Sequence, residues 1–156
     1  QPFSFKGFLI KPLATFSLSA RVLSRERYRH DSGSALSPWD LALGWGPMSD
    51  EQYLKDIEIS QHGRFYFWSV QQFPLPREVI ETHSANMHMI PADEGVEDVL
   101  DGIRVGEVIH LEGILIRAEG PNGWYWQSSL TRADTGAGAC EVIFVRRARV
   151  ASHPGP

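Results

Sequence analysis

The stretch that most constrains this fold is Gly106 to Ala118, G-E-V-I-H-L-E-G-I-L-I-R-A. It is rich in β-branched residues, which fit a pleated strand better than a helix. Gly113 stands in its middle, and a glycine inside a strand marks a bulge or a barrel corner. Glu119-Gly120-Pro121-Asn122-Gly123 follows, and Asn-Gly is a strong hairpin-turn signal. Trp124 to Leu130 reads as the return strand. A long strand, a corner glycine and an immediate hairpin predict a sheet that curls.

The rest of the chain is read around that hairpin. Phe3 to Ile10 is an arm or first strand, interrupted at Pro12. Leu13 to Tyr28 alternates, with Phe16, Leu18, Ala20 and Val22 against Ser17, Ser19 and Arg21, the period of a strand. Ser37-Pro38 has the form of a helix cap followed by proline, so a short helix over Pro38 to Leu43 is expected, stopped by Gly44. Ser49 to Gln52 has capping-box spacing and opens a second helix. Ile57 to Ser60 is a candidate strand, and Gly63 opens another. Its four consecutive aromatics, Phe65 to Trp68, predict cover on both faces. Arg77 to Thr82 is a helical turn or a strand lead-in. Asp93 caps a helix to Leu100, ended by Gly102. Glu141 to Val150 is the last strand, and 151–156 is expected to be a disordered tail.

Short loops between strands favour antiparallel pairing. The expected fold is therefore α+β and β-rich: a mostly antiparallel small barrel of five or six strands, OB-like, with two or three short helices. The 156 residues suit one domain, 1–150, with one core. Charge excludes one class: a net −4 disfavours binding driven by phosphate neutralisation, so nucleic acid is not the expected partner.

Two dense stretches carry the candidate site. Glu81 to Ala92 is E-T-H-S-A-N-M-H-M-I-P-A, and Ser128 to Cys140 is S-S-L-T-R-A-D-T-G-A-G-A-C. As a strand, the first places Ser84, Asn86 and His88 on one face and Ala85, Met87 and Met89 on the other. That row of hydroxyl, amide and imidazole suits hydrogen bonding, and it is expected to face the second stretch. A ligand pocket would combine Ser84, Asn86, His88 and Arg132 with Trp39 or Trp45. The row could equally be a structural clasp.

Catalytic and metal readings are weaker. His83 and His88 fall on opposite faces, and there is no cysteine framework, so no metal and no cofactor are expected. Asp134-Thr135-Gly136 occurs once and follows no apolar strand, against an aspartic-protease dyad. A cysteine hydrolase would use Cys140 as nucleophile, His83 or His88 as base, and Asn86 or Asp134 as orienter. Cys140, however, opens a strand and not the helix N-terminus that favours a thiolate.

Three segments together, Leu36 to Asp50, Thr82 to Ala92 and Ser128 to Cys140, resemble a family of bacterial envelope proteins of unknown function. The resemblance spans about Leu18 to Val145. Such proteins carry an N-terminal hydrophobic segment ahead of the soluble domain. The chain opens at Gln1, so an upstream signal peptide, anchor or tag is expected to have been removed. The resemblance implies a membrane-anchored domain on the periplasmic side of the inner membrane, meeting the membrane only through that segment. It implies an unidentified envelope ligand or protein as partner, and no reaction.

Overall fold

The computed structural model describes residues 1–130 and 140–152. Nine strands and three α-helices follow in order: β1 (Phe3–Phe5), β2 (Phe8–Arg27), β3 (Trp39–Gly44), α1 (Glu51–Leu54), β4 (Glu58–His62), β5 (Phe65–Ser69), α2 (Arg77–Thr82), β6 (Ser84–Pro91), α3 (Glu94–Gly102), β7 (Val108–Glu119), β8 (Tyr125–Gln127) and β9 (Glu141–Ser152).

Five strands close a ring. The sheet runs β2-β3-β6-β9-β7, and β7 pairs back onto β2. Closure depends on the length of β2. Its residues from Leu9 to Arg21 pair with β7, and those from Arg21 to Arg27 pair with β3. One strand thus serves both sides of the ring, bending at register shifts between Pro12 and Ala14 and between Val22 and Ser24. Pro12 therefore does not interrupt the strand. It sits at the edge of a bulge, where a missing N–H costs no ladder bond. β6 and β9 are the one parallel pair in the ring, and α3 lies in the chain between β6 and β7. This is the five-stranded Greek-key arrangement expected of an OB-like barrel.

Gly113 is the corner that its sequence context predicts. A Cβ there would lie 2.0 Å from the Phe144 carbonyl oxygen on β9. The ladder shifts register beside it, between Glu112 and Gly113.

Alternation fills the interior. Ala20, Val22, Leu41, Leu43, Met87, Met89, Ile109, Leu111, Ile143 and Val145 form one cluster, capped by Val96, Leu100 and Ile103 of α3 and the chain after it. Asp93 accepts from the Val96 N–H at 2.9 Å and opens that helix as expected. A second apolar layer on the outside of β7 and β9 is covered by β1, whose Phe3 and Phe5 meet Phe144 edge to face.

The expected helix over Pro38 to Leu43 is instead strand β3, held between β2 and β6. The Ser37 hydroxyl does not cap a helix. It donates to the Met89 carbonyl at 2.7 Å. Burial of Leu41 and Leu43 in the ring outweighs the local cap signal, a tertiary override of propensity.

β4 and β5 form a separate two-stranded sheet. Its inner side, with Ile59 and Trp68, packs over Met48, Ile57 and Ile80. Its outer side is open: Phe65 is 41% and Phe67 52% exposed, so the aromatic run is covered on one face only. β8 has three residues, shorter than the return strand expected, and β9 extends to Ser152, past the expected end at Val150.

Candidate functional site

Alternation along β6 sends Met87 and Met89 into the barrel and Ser84, Asn86 and His88 to its outer face. The row forms as the sequence predicts. It is nevertheless buried, at 4%, 1% and 4% exposure. Its cover is the β4–β5 hairpin, the chain between β2 and β3, and Trp126.

Asp40 is the centre. It lies opposite His88 in the β3–β6 register and is 0% exposed. Its carboxylate accepts from Arg64 Nη1 at 2.7 Å, His88 Nδ1 at 2.9 Å and Asn86 Nδ2 at 3.0 Å. Because a carboxylate only accepts, Nδ1 of His88 carries the proton. The other face of the imidazole system is a ring stack: His88 lies flat on Trp126, with centroids 4.4 Å apart and planes 4° from parallel. Further along the row, the Ser84 hydroxyl donates to the Ile80 carbonyl at 2.7 Å and meets the Tyr66 hydroxyl at 3.0 Å. Gln61 Nε2 donates to Asn86 Oδ1 at 2.6 Å. Burial pushes the Tyr66 phenol up.

Arg64 comes from the tip of the hairpin. Gly63 and Arg64 have φ of 62° and 74°, the two positive values of a tight two-residue turn closed by His62 and Phe65. The guanidinium enters the barrel's outer face. Nε and Nη2 donate to Asp31 at 2.7 and 3.0 Å, Nη1 to Asp40, and Nη2 also to the Ser37 carbonyl at 2.9 Å. Tyr28 lies 4.0 Å and Trp126 4.8 Å from the guanidinium carbon, ring to cation. The Tyr28 hydroxyl accepts from the Arg64 backbone N–H at 2.9 Å. Burial works against the Arg64 charge, but Asp31 and Asp40 outweigh it and its pKa rises.

Arg64 in turn holds the Asp31 carboxyl below its ordinary range, chiefly by their hydrogen bonds. A group with a lowered folded pKa adds stability that is complete above its unfolded pKa and is lost as pH falls through the folded one. The expected result is a melting temperature that declines as pH drops below about 4, the ordinary carboxylate value. In Asp31→Asn, part of that decline should disappear and the protein should melt lower at pH 7. An identical pH slope in the variant would remove Asp31 from the account.

Cys140 stands at the start of β9 beside this network, its sulfur 3.9 Å from the Arg64 carbonyl. Burial, then Asp40, pushes its thiol up to about 11, although the Asn86 side chain pulls the other way. Among the described residues no imidazole hydrogen-bonds the sulfur. His83 turns instead to its own helix, with Nδ1 2.9 Å from the Val79 carbonyl. A small cleft of about 100 Å³ remains at the surface. Its walls are His88, Trp126, Gln127, Cys140 and Val142, with Arg64 and Phe65 of the hairpin tip above.

The other expected site residues part company here. Trp39 and Trp45 do not join the row: alternation along β3 puts Trp39 on the side of the apolar cluster, opposite Asp40, and Trp45, just past the end of β3, packs against the same cluster. Trp39 donates from Nε1 to Asp101 of α3 at 2.7 Å and carries Arg25 4.0 Å over its ring. Arg132 and Asp134 lie outside the described residues, as does most of the stretch between Ser128 and Cys140. Of its described ends, Cys140 meets the row at the Asn86 side chain, whereas Ser128 and Ser129 bond to the start of β9. Ser128 accepts from the Val142 N–H, and Ser129 donates to the Cys140 carbonyl. Among the described residues no group of three or more His, Cys, Asp or Glu is placed to hold a metal.

Residues of the network that were not singled out from sequence include Asp31, Asp40, Gln61, Arg64, Tyr66 and Trp126. Asp40 had a signal, a charged residue between Trp39 and Leu41, but it reads equally as the acidic first turn of a helix. Comparison with known proteins adds no analogue: no family model, no curated protein and no solved structure matches this chain.

Proposed function

We propose that this chain is a non-catalytic binding domain of the bacterial cell envelope, taking its ligand at the cleft beside the His88–Trp126 stack. The observation that carries the reading is the lining of that cleft. It combines a stacked pair of rings, the half-exposed Phe65 and the Gln127 amide with a thiol held protonated. Ligand sites are lined mainly by aromatic and apolar side chains with a few placed polar groups, and this lining has that composition, in a cleft with room for only one edge of a ligand. The envelope location rests on the family resemblance of Leu36 to Asp50, Thr82 to Ala92 and Ser128 to Cys140.

Two observations narrow the ligand. OB-like barrels bind oligonucleotides and oligosaccharides on their outer faces, a likeness of fold and not of site. The net charge of −4 opposes a phosphate polymer. A phosphate-free glycan is the better fit. Purified peptidoglycan sacculi are therefore expected to sediment the wild-type protein, and Phe65→Ser, altered at an exposed side chain, to sediment at least tenfold less. Failure of the wild type to sediment sinks the glycan reading. Salt-sensitive binding to an oligo-dT strand would replace it with the nucleic-acid one.

The competing hydrolase reading has its own test. A thiol near 11 is ionised in about one molecule in ten thousand at pH 7, and only the thiolate is a nucleophile. Iodoacetamide should label Cys140 slowly in the native protein and quickly in urea. Rapid labelling of the native protein would favour a Cys140 and His88 hydrolase over a binding domain.

A further inference from the structure

We propose that the box around the Arg64 side chain is a guanidinium-binding site for an arginine of another molecule, filled in the free protein by the chain's own Arg64. The box shares Arg64 and Trp126 with the neighbouring cleft but does not depend on what that cleft takes. The box has the parts that distinguish a guanidinium from other cations. Asp31 meets it side-on through two oxygens, Asp40 takes a third N–H and the Ser37 carbonyl a fourth contact. Tyr28 and Trp126 supply ring faces at 4.0 and 4.8 Å. A lysine ammonium has no planar fork to satisfy both carboxylates and both rings at once.

The present occupant is held by hydrogen bonds with Asp31, Asp40, Ser37, Tyr28 and Asn86 and by no strand pairing of the barrel ladder. Arg64 has φ 74°, a left-handed conformation that favours glycine, so its seat in the box is bought with backbone strain. It stands on a two-stranded sheet that is not part of the barrel ladder. Withdrawing the tip breaks no barrel strand pairing. The box also has an outer side: the Asp31 side chain is 38% exposed, whereas that of Asp40 is 0%. A guanidinium from solution would meet Asp31 first.

The test is to empty the box and refill it. Arg64→Gly removes the side chain and gives the turn the residue its φ prefers, and Gly-Gly is itself a favoured two-residue turn. N-acetyl-arginine amide is expected to raise the melting temperature of Arg64→Gly in a saturable way at millimolar concentration. N-acetyl-lysine amide at equal ionic strength should give less than a third of that rise. If Arg64→Gly is unfolded at 20 °C, the readout becomes the return of its near-ultraviolet circular dichroism on adding each compound. Equal effects of the arginine and lysine compounds, or no effect of either, overturn the proposal. In the wild type the arginine compound should shift the Trp126 indole N–H resonance at no less than tenfold higher concentration. No shift at any concentration below that which unfolds the protein confines the box to Arg64 and overturns it as a site for another molecule.

Discussion

Replacing Asp40 by alanine is expected to produce the largest loss of stability of any single polar substitution in this chain. Asp40 is 0% exposed and accepts from Arg64, His88 and Asn86 at once. Its removal leaves one guanidinium N–H, an imidazole N–H and one amide N–H facing a small void, while Asp31 and the Ser37 carbonyl still hold the other side of the guanidinium. Breaking a buried ion pair from one side costs about 3–5 kcal/mol. In a chain of this size that lowers Tm by roughly 6–20 °C. Thermal melts of Asp40→Ala and Asp40→Asn separate charge from shape. The asparagine keeps one acceptor, so its loss should be about half as large. A double-mutant cycle with Arg64→Gly should show coupling of at least about 1 kcal/mol, since the two residues share one contact. Simple additivity, or a loss under about 1 kcal/mol in Asp40→Ala, would mean that the network does not hold the hairpin to the barrel.

The second large effect is expected at Gly113. Alanine there places a Cβ 2.0 Å from the Phe144 oxygen and 3.0 Å from its carbonyl carbon. Both are backbone atoms of β9, so no side chain can rotate away. Either β7 and β9 separate or the register beyond the bulge slips, and both disturb ring closure. Overpacking of a fixed site costs about 1–3 kcal/mol and occasionally more. Gly113→Ala should lie at or above the top of that range by urea denaturation. Gly102→Ala, where a Cβ meets nothing within 4 Å, is the control and should stay within about 1 kcal/mol of wild type. Similar losses in both would show that the close approach to Phe144 is not what fixes glycine at 113.

The pattern of Ser84, Asn86 and His88 against Met87 and Met89 was legible from period two alone, as was the Asp93-capped helix. The identity of the site was not. The pocket expected from sequence drew Trp39 and Trp45 to that row as its aromatic wall. One residue of strand alternation sends Trp39 to the opposite face from Asp40. The long-range hydrogen-bond partners of the row come from residues 40, 61, 64 and 66, and Trp126 stacks on His88. No local rule links those positions.

What the sequence by itself determined is a β-rich barrel with its corner at Gly113, the Asp93-capped helix before that strand, and a polar row on β6. These follow from steric and periodic preferences that act within a few residues. What only the tertiary structure decided is whether Trp39 to Leu43 is helix or strand, and what the polar row serves. Both depend on burial between partners distant in sequence. A buried carboxylate such as Asp40 is stable only where Arg64 reaches it, 24 residues away along the chain.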